Sequence, residues 1–428
     1  MQIAIHHGRV IDPAQAVDTI TSLYIRDQTI IAWGTAPTGF QATQVIDAHD
    51  CIVAPGFIDL GARLREPGAE HKGTIASETL AAASGGITTL CVPPDTNPVM
   101  DTTAVIELLK QRADQVGKAK VLPIAALTCG LRGEQLSNMA ALKKAGCIGV
   151  SNGLHPILDT QVLRRAMEYA ATHDLLVFLH PNDPYLSAGG CAHEGIVSSR
   201  LGLPAIPYAA ETVAVARDLA LIEHTGVRAH FCRLSSGRAV AMIAQAQQQG
   251  LPVTADVCVH QLHLTEQAID GFEVQCHLIP PLRTDKDRQK LGLAVASGVI
   301  TALCSDHQPH DDEAKKSPFP TAASGISAVE TLLPLALQLV EQGILTLPQM
   351  ISRLSRDPAR ILRLETGTLA VGSRADICIF DPQQRWQLTA KTMLSQGRNT
   401  PFLGKSLQGR VKYTLLEGKL VYADQTLA

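Results

Sequence analysis

The sequence predicts an α/β fold in which a parallel barrel of eight β/α units carries a small β-domain built from both chain ends. The length of 428 residues exceeds one average domain but suits a large barrel with an appended module. The middle of the chain alternates apolar runs with amphipathic segments, whereas both ends consist of short alternating strands and glycine turns. We therefore expect a composite β-domain over residues 1–52 and 366–428, and a barrel over residues 53–365.

The two chain ends share one pattern of polar and apolar alternation. The N-terminal segments are QIAIHHGRVIDP, SLYIRDQTIIAWG and TQVIDAHDCIVAPG, and the C-terminal segments are GTLAVGSRADICIFDP and GRVKYTLLEGKLVYAD. Each reads as one or two short strands bounded by turn residues. Because these similar ends flank a different middle, we expect them to pair into one domain.

The barrel prediction depends on a series of buried strands separated by helices. The strand candidates are ITTLCV at 87, VLPIAAL at 121, LLVFLH at 175, VRAHFCRL at 227, LPVTADVC at 251 and VITALCSD at 299. Intervening helices include one that Asp101 is expected to cap and one that Gly146 stops. In such barrels the functional side chains lie where strands end and loops begin.

Composition excludes several classes of partner. The net charge is −3 with 18% charged residues, so no basic excess is available to neutralise nucleic acid or an acidic membrane surface. No signal-peptide layout opens the chain, and no apolar run is long enough to span a bilayer. The ten cysteines include no C-x-x-C pair, which argues against a disulfide framework or a zinc knuckle. These features predict a cytoplasmic protein.

The predicted strand ends supply few metal ligands. LLVFLH ends at His180, and the last strand leads to Asp306; on the VRAHFCRL strand, His230 and Cys232 share one face. From spacing alone only His180 and Asp306 can be assembled, whereas a catalytic zinc usually takes about three protein ligands. Both residues also fit a simpler interpretation, in which hydrogen bonds hold them in the barrel interior. His193, in the AHEG segment, is expected to brace a loop.

Longer motifs resemble the long-chain dihydroorotases of the amidohydrolase superfamily over almost the whole chain. The matching stretches include PGFIDL at 55, ASGGITTLCVPPDTNPV at 83, GGCAHEG at 189, LGLPAIPYAAETVAVARDLAL at 201, SDHQPH at 305, SGISAVETLLPLAL at 324 and QGRNTPFLGKSLQGRV at 396. The resemblance implies a TIM-like (β/α)8 amidohydrolase barrel with a small β-sandwich domain built from both termini.

The resemblance also implies a metal site from which most ligands are missing. The family's D-x-H-x-H motif falls on the DLGAR stretch at 59, so Gly61 and Arg63 stand where the two histidines belong. The bridging acidic or carboxylated position falls on Asn152 or Gly153, and the histidine of the H-x-C-H-L-S motif falls on Arg233. The surviving ligand positions are His180 and Asp306.

The substrate-binding positions implied by the resemblance are altered as well. Arg65 and His310 remain as vestiges of the substrate site, and one carboxylate of the family's H-x-E-D motif remains as Asp183. Asp95 and Ile279 replace two asparagines. We expect Asp95 to repel an anionic substrate and Ile279 to remove a hydrogen bond, so no working substrate site is expected.

These changes predict a catalytically inactive dihydroorotase homologue, a pseudoenzyme without a metal or other cofactor. The resemblance implies a partner, because such chains in this family associate with aspartate transcarbamoylase. We therefore expect a structural or assembly subunit of the aspartate transcarbamoylase complex in pyrimidine biosynthesis. The expected partner is the catalytic chain of that enzyme, and the chain is expected to form a homodimer within a larger hetero-oligomer.

Two other functions remain open at this stage. A metal-poor or metal-free cyclic amidohydrolase with a changed substrate would use Asp306 as base and Arg63 or Arg233 as electrophile. A non-catalytic sensor would bind a pyrimidine intermediate through Arg65 and His310.

The arginines at two ligand positions lead to a structural prediction. A guanidinium is always charged and presents five donors in a planar fork that suits carboxylates. We expect Arg63, Arg233 or both to occupy the vacated metal volume and pair with Asp306, since an unpaired buried carboxylate is costly. The alternative is that both side chains extend into solvent at the barrel mouth.

Overall fold

A computed structural model describes residues 1–424, and the last four residues of the predicted β-domain lie outside that part. The strands in chain order are β1 (Gln2–Asp12), β2 (Val17–Arg26), β3 (Thr29–Trp33), β4 (Gln44–Asp47), β5 (Ile52–Pro55), β6 (Phe57–Asp59), β7 (Ile87–Val92), β8 (Lys120–Ala126), β9 (Gly149–Ser151), β10 (Leu176–Leu179), β11 (Ala192–His193), β12 (Ala205–Ile206), β13 (Ala229–Phe231), β14 (Val253–Cys258), β15 (Ala302–Cys304), β16 (Ile377–Gln387), β17 (Ser406–Leu416) and β18 (Lys419–Ala423).

Helices follow most of the central strands. They are α1 (Ile75–Ser84), α2 (Thr103–Val116), α3 (Met139–Ala145), α4 (Thr160–Thr172), α5 (Ile196–Leu201), α6 (Ala209–Thr225), α7 (Gly237–Gln248), α8 (Asp285–Ser297), α9 (Leu332–Glu341), α10 (Leu347–Leu354) and α11 (Arg356–Leu362). The alternation confirms the predicted β/α organisation of the middle of the chain.

The two chain ends form one mixed sheet, as predicted. Its strand order is β18-β17-β16-β5-β1-β2-β3, with β4 paired to the parallel β1. The N-terminal and C-terminal parts meet where β5 pairs antiparallel with β16, and inward-facing aliphatic side chains from both ends share one core. The sheet includes Ile52–Pro55, so it reaches three residues past position 52.

The barrel consists of eight parallel strands in the order β6-β7-β8-β9-β10-β13-β14-β15. Beyond the ends of β6 and β15, the barrel closes through a parallel bridge between Ala62 and His307, with the Arg63 N–H donating to the His307 carbonyl over 2.9 Å. The carboxyl ends of all eight strands therefore surround one mouth, where the predicted site residues lie.

The turn between the two sheets requires glycine. Pro55 ends β5, and Phe57 begins β6 in the barrel. A Cβ on Gly56 would lie 2.3 Å from the Thr88 Oγ1, closer than side-chain atoms can approach. The chain thus leaves the β-domain at Gly56, between β5 and β6.

One predicted helix cap is wrong. The structure starts α2 at Thr103, after Thr102, and the Asp101 carboxylate accepts a hydrogen bond from the Gly130 N–H over 2.8 Å. Asp101 lies one residue too early to serve as the cap, and the loop after β8 takes its carboxylate. The predicted stop at Gly146 is confirmed, because this residue ends α3 in the left-handed conformation.

A C-terminal segment fixes the loop after the last barrel strand. The Asn399 amide donates to the Gln308 carbonyl over 2.9 Å and to the Gly325 carbonyl over 3.0 Å. The His310 N–H in turn donates to the Asn399 Oδ1 over 2.8 Å. Asn399 is buried, so these three bonds tie the SDHQPH loop to the segment that precedes β17.

Two predictions from composition can be compared with the structure. Within residues 1–424, no helix combines the length and the apolar character that crossing a membrane requires. All ten cysteines are unpaired, which confirms the absence of a disulfide framework. The cytoplasmic location stays a prediction.

Candidate functional site at the barrel mouth

Two arginines converge on one carboxylate inside the barrel mouth. Arg63 Nη1 lies 3.3 Å and Arg233 Nη1 lies 3.0 Å from the Asp306 Oδ1. All three side chains are buried, so the pairing takes place where water screens it little. The predicted pairing is confirmed for both arginines, and neither extends into solvent.

Two further side chains complete this network. The Gln308 amide donates to the Asp306 Oδ2 over 2.8 Å, and the Arg63 Nε donates to the Asp95 Oδ2 over 2.8 Å. Burial raises the pKa of Asp95, but Arg63, with smaller contributions from Arg65 and Arg233, outweighs burial and holds the pKa below its usual value. Asp95 is therefore neutralised inside the network, which is a different role from the predicted repulsion of a substrate.

The bonding of Asp306 limits what this carboxylate can do. Its Oδ1 accepts from two guanidinium groups, and its Oδ2 accepts from Gln308. Burial is the largest single effect on Arg233 and lowers its pKa, but Asp306 and the neighbouring Cys232, Cys258 and Asp256 together outweigh burial and raise the pKa of the guanidinium. A general base must reach the proton it abstracts. Neither oxygen of Asp306 is free of a competing donor.

A second polar network holds the backbone of Arg233. The Arg233 N–H donates to the Asp256 Oδ1 over 2.5 Å, and the His230 Nε2 lies 3.0 Å from the Asp256 Oδ2. The other ring nitrogen of His230 lies 2.8 Å from the Thr254 Oγ1. Asp256 was not identified from sequence; the signal was a lone acidic residue within the apolar run LPVTADVC.

Within residues 1–424, one cluster of side chains has ligand atoms spaced closely enough to hold a metal ion. It consists of His230, Cys232 and Asp256. Their ligand atoms lie within 4.8 Å of one another. However, both ring nitrogens of His230 and both oxygens of Asp256 are already engaged in hydrogen bonds. Burial and then Asp256 raise the pKa of the Cys232 thiol well above its usual value. The cluster therefore acts as a support for the Arg233 strand end.

His180 is the surviving histidine, and its buried ring lacks a strong hydrogen bond. Both ring nitrogens are buried, and neither makes a hydrogen bond of ordinary geometry, although the ring lies near the Cys232 carbonyl. Burial, followed by Arg233 and Arg63, lowers the pKa of His180 well below its usual value, so the ring is neutral. The simpler interpretation, in which hydrogen bonds hold both surviving residues in place, agrees with the three hydrogen bonds of Asp306 and is not supported by the geometry around His180.

Gly61 and Gly153 leave space at two of the degenerate ligand positions. A Cβ on Gly61 would meet nothing within 4 Å, and a Cβ on Gly153 would lie 3.9 Å from the Asp95 Cβ. The neighbouring Asn152 turns away from the mouth, because its side chain bonds to Thr128 Oγ1 over 2.7 Å and to nearby loop carbonyls. Position 153, rather than 152, therefore faces the network.

The vestigial substrate residues contact one another. The Arg65 Nε donates to the Pro309 carbonyl over 2.8 Å, and Arg65 Nη2 lies 3.0 Å from the His310 Nε2. Burial and then Arg63 lower the pKa of Arg65 to about 10, and burial followed by Arg65 lowers that of His310 to about 3. His310 is thus neutral, and its Nε2 lies between the Arg65 guanidinium and the Ser324 carbonyl, which is 2.9 Å away.

Three mouth residues have left-handed backbone conformations that side chains other than glycine rarely adopt. The φ angles are 65° at Arg65, 59° at Arg233 and 46° at Asp306. Such conformations cost free energy and persist where the surroundings impose them, commonly at functional sites. The backbone of the mouth therefore has the geometry of a reactive site, although its side chains bond to one another.

Three other predicted positions lie outside this network. Asp59 accepts from the Ser305 N–H over 3.0 Å and joins the first barrel strand to the last; burial raises its pKa to about 6. Asp183 accepts from the backbone N–H groups two and three residues further on and caps a turn. Ile279 is half-buried before Pro280. None of the three is brought to Asp306.

The fold is that of the amidohydrolase barrels. An L-hydantoinase from Arthrobacter aurescens superposes with a TM-score of 0.88 at 23% identity, covering 98% of this chain and 96% of the other. A D-hydantoinase superposes with a TM-score of 0.86 at 24% identity, covering 99% and 96%. At this level of identity the likeness concerns the fold alone.

Sequence comparisons specify the family. Residues 50–239 match the family model described as Dihydro-orotase-like, and residues 289–422 match the Amidohydrolase family. A dihydroorotase-like protein of Pseudomonas aeruginosa is 51% identical over 99% of this chain and 100% of its own length. A dihydroorotase of Geobacter sp. (strain M21) is 39% identical over 99% of each chain. The chain belongs to the dihydroorotase-like family.

The unpartnered ring of His180 leads to a stability prediction. We expect His180→Leu to leave the free energy of unfolding unchanged or to raise it, because the substitution removes two buried polar atoms that lack partners. The matched control is His230→Leu, which leaves hydrogen-bonding groups of Asp256 and Thr254 without their partner. This variant is expected to lower the free energy of unfolding by about 1–3 kcal/mol or more. Urea unfolding measures both. A larger loss of unfolding free energy in His180→Leu than in His230→Leu would contradict the conclusion that His180 lacks hydrogen-bond partners.

Proposed function

We propose that this chain is a catalytically inactive member of the dihydroorotase-like family that serves as a structural or assembly subunit of the aspartate transcarbamoylase complex. In this proposal it forms a homodimer within a larger hetero-oligomer, in contact with the transcarbamoylase catalytic chain, and contributes to pyrimidine biosynthesis without turnover. The observation that carries the inactivity is the pairing of Asp306 with two guanidinium groups at family metal-ligand positions. The partner rests on the family resemblance.

The chemistry of the mouth supports inactivity. A metal-dependent amidohydrolase uses bound cations to activate water and polarise the scissile carbonyl. Here the cationic charge belongs to Arg63 and Arg233, which are hydrogen-bond donors and can neither coordinate nor activate water as a Lewis acid does. The ligand atoms that remain are a neutral, buried His180 and a carboxylate with both oxygens engaged. This set does not fit a dinuclear metal centre.

The metal content of the purified protein is a direct test. We expect no stoichiometric zinc and no dihydroorotase activity in either direction, because a catalytic zinc usually takes about three protein ligands and two positive groups already occupy the site. Elemental analysis and assays of both directions measure this. About one or more zinc ions per chain, lost in His180→Leu, would contradict the proposal.

Partial repair of the ligand set is expected to fail. Gly61→His combined with Arg63→His restores one pair of histidines, and a Cβ at position 61 meets no atom within 4 Å. Positions 153 and 233 would remain unfilled, and Asp95 would lose its partner. Residues that act as a unit contribute non-additively, so turnover should stay at background. The control is Gly61→Ala with Arg63→Gln. Turnover in the histidine variant but not in this control would contradict the prediction, because it would show that two restored ligands are enough for catalysis.

The altered-hydrolase alternative is less well supported, because the hydrogen bonds of Asp306 leave no oxygen free to act as base.

One observation favours the sensor alternative. Arg65 makes no ion pair with a carboxylate within residues 1–424, and it borders a cavity of about 70 Å³ together with Arg63 and Asp95. Calorimetric titration with dihydroorotate and with carbamoyl aspartate tests this role. Heat of binding that Arg65→Met abolishes would favour a sensor.

Co-purification tests the assembly role itself. The untagged chain should elute with the aspartate transcarbamoylase of the same organism, and the mass of the complex gives the stoichiometry. The His180→Leu chain should co-elute equally, since no metal chemistry is involved. Separate elution of the two proteins at micromolar concentrations, with the transcarbamoylase already in its high-mass form, would contradict the proposal.

A further inference from the structure

A cavity of about 240 Å³ lies between the starts of two helices and is separate from the Asp306 network. It opens at the first turns of α7 and α8, which have 12 and 13 residues. Ser236 and Thr284 cap these helices and border the cavity. The N-terminal end of a helix carries partial positive charge, so two such ends make the cavity electropositive, although the Gly237, Arg238 and Asp287 N–H groups already have partners.

Three cationic side chains border the same cavity. They are Arg238, Lys286 and Lys290, and none makes an ion pair with a carboxylate within residues 1–424. The guanidinium carbon of Arg238 lies 4.0 Å from the centroid of the Tyr208 ring, which holds its position. The stem of Lys290 packs over Gly237, where a Cβ would lie 2.3 Å from its Cδ. Two of the three cations are therefore fixed by packing at the cavity.

A buried histidine provides an independent sign of a ligand. His193 borders the cavity and is only 6% exposed. Its Nδ1 lies 3.0 Å from the Nη1 of the buried Arg283, which can only donate, so Nδ1 accepts and Nε2 carries the hydrogen. No hydrogen bond of ordinary geometry joins Nε2 to an acceptor within residues 1–424, although the ring lies near the Ile206 carbonyl. The histidine does brace its loop through Arg283, as the sequence predicted, but one donor is left over.

Asp287 is the acidic residue of the cavity wall, and its oxygens are already engaged. Its Oδ1 accepts from the Gly237 N–H over 3.0 Å, and its Oδ2 accepts from the Thr284 hydroxyl over 2.5 Å. Three cations against one carboxylate leave an excess of two positive charges. A cation is therefore excluded as the ligand.

We propose that this cavity binds a phosphate-class dianion, either free phosphate or the phosphoryl group of a small molecule. A tetrahedral dianion offers acceptors in several directions, which suits a histidine and three cations that surround it next to the positive ends of two helices. The volume accommodates a phosphate with a small organic substituent. This site is independent of the proposed assembly function, and it involves no metal.

Calorimetric titration of the full-length protein with inorganic phosphate and with glycerol phosphate, at constant ionic strength in chloride, tests the site. We expect saturable binding that Lys286→Gln or Lys290→Gln weakens by about tenfold each, because each removes a charge-assisted hydrogen bond. Asp287→Asn is expected to strengthen binding, since it removes the opposing charge and retains an acceptor for the Gly237 N–H. The control is Lys419→Gln, on the exposed surface of β18.

The two titrants distinguish the sources of the anion. Saturation by inorganic phosphate supports a site for the free ion, and saturation by glycerol phosphate alone supports a phosphate ester. Unchanged affinity in both lysine variants, or heats no larger than those of a chloride titration, would overturn the proposal. Because Lys286 and Lys290 are exposed, their variants remain informative even if Asp287→Asn does not fold.

Discussion

Arg233→Met is expected to lower the free energy of unfolding by about 3–5 kcal/mol, because it removes one partner of a buried ion pair. Asp306 would keep Arg63 at 3.3 Å, but that arginine already bonds to Asp95. Two buried carboxylates would then share one guanidinium, and the unbalanced negative charge would have no access to water. Urea unfolding of the variant and the parent measures the loss.

The double variant Arg233→Met with Asp306→Leu separates this explanation from a simple packing defect. Removing both charges leaves Arg63 paired with Asp95, so most of the lost stability should return. Arg360→Met, on the exposed side of α11, is the matched control and should change stability by less than about 0.5 kcal/mol. A double variant as unstable as Arg233→Met alone would show that the ion pair is not the cause.

Deletion of this chain is expected to abolish or strongly reduce aspartate transcarbamoylase activity in cell extracts. The proposed role is assembly, so the high-mass form of the transcarbamoylase should disappear together with its activity. Activity assays and size-exclusion chromatography of the same extracts measure both effects.

Complementation sharpens this test. Expression of the His180→Leu chain should restore the complex and its activity, because we expect this variant to fold and it lacks one of the two surviving ligand positions. An empty vector is the control. Full transcarbamoylase activity in an unchanged high-mass complex after deletion would contradict the assembly role.

Most of the barrel was predictable, because its strands are contiguous apolar runs. The run at 87 became β7 with the same ends, the segments at 175, 227, 251 and 299 each contain a barrel strand, and the segment at 121 overlaps β8, which begins one residue earlier. The strand Gly149–Ser151 was not identified as such, since three residues are too few for a period to be recognised. Asp101 does not cap α2, because its carboxylate accepts a hydrogen bond from the Gly130 N–H in the loop after β8.

The site was predictable only in part. Pairing of Arg63 and Arg233 with Asp306 followed from charge and from the shared barrel mouth, which fixes the relative positions of strand ends. The bonds to Asp95 and Gln308 could not be inferred, because loop conformation decides which donor reaches which oxygen. The lack of partners around His180 is likewise a property of three-dimensional packing, and residue type gives no signal for it.

The joining of both chain ends in one sheet has a consequence for synthesis on the ribosome. As the nascent chain emerges, β5 can pair with β1 at once, but its other edge stays open until β16 has been translated. Almost the whole barrel is made in that interval, and an unpaired strand edge is a site for association with other chains. The loop that Asn399 ties down must wait longer still, because Asn399 follows β16 in the chain. Truncated translation products of this chain are therefore expected to be captured by chaperones or to aggregate, and to contribute nothing to the assembled complex.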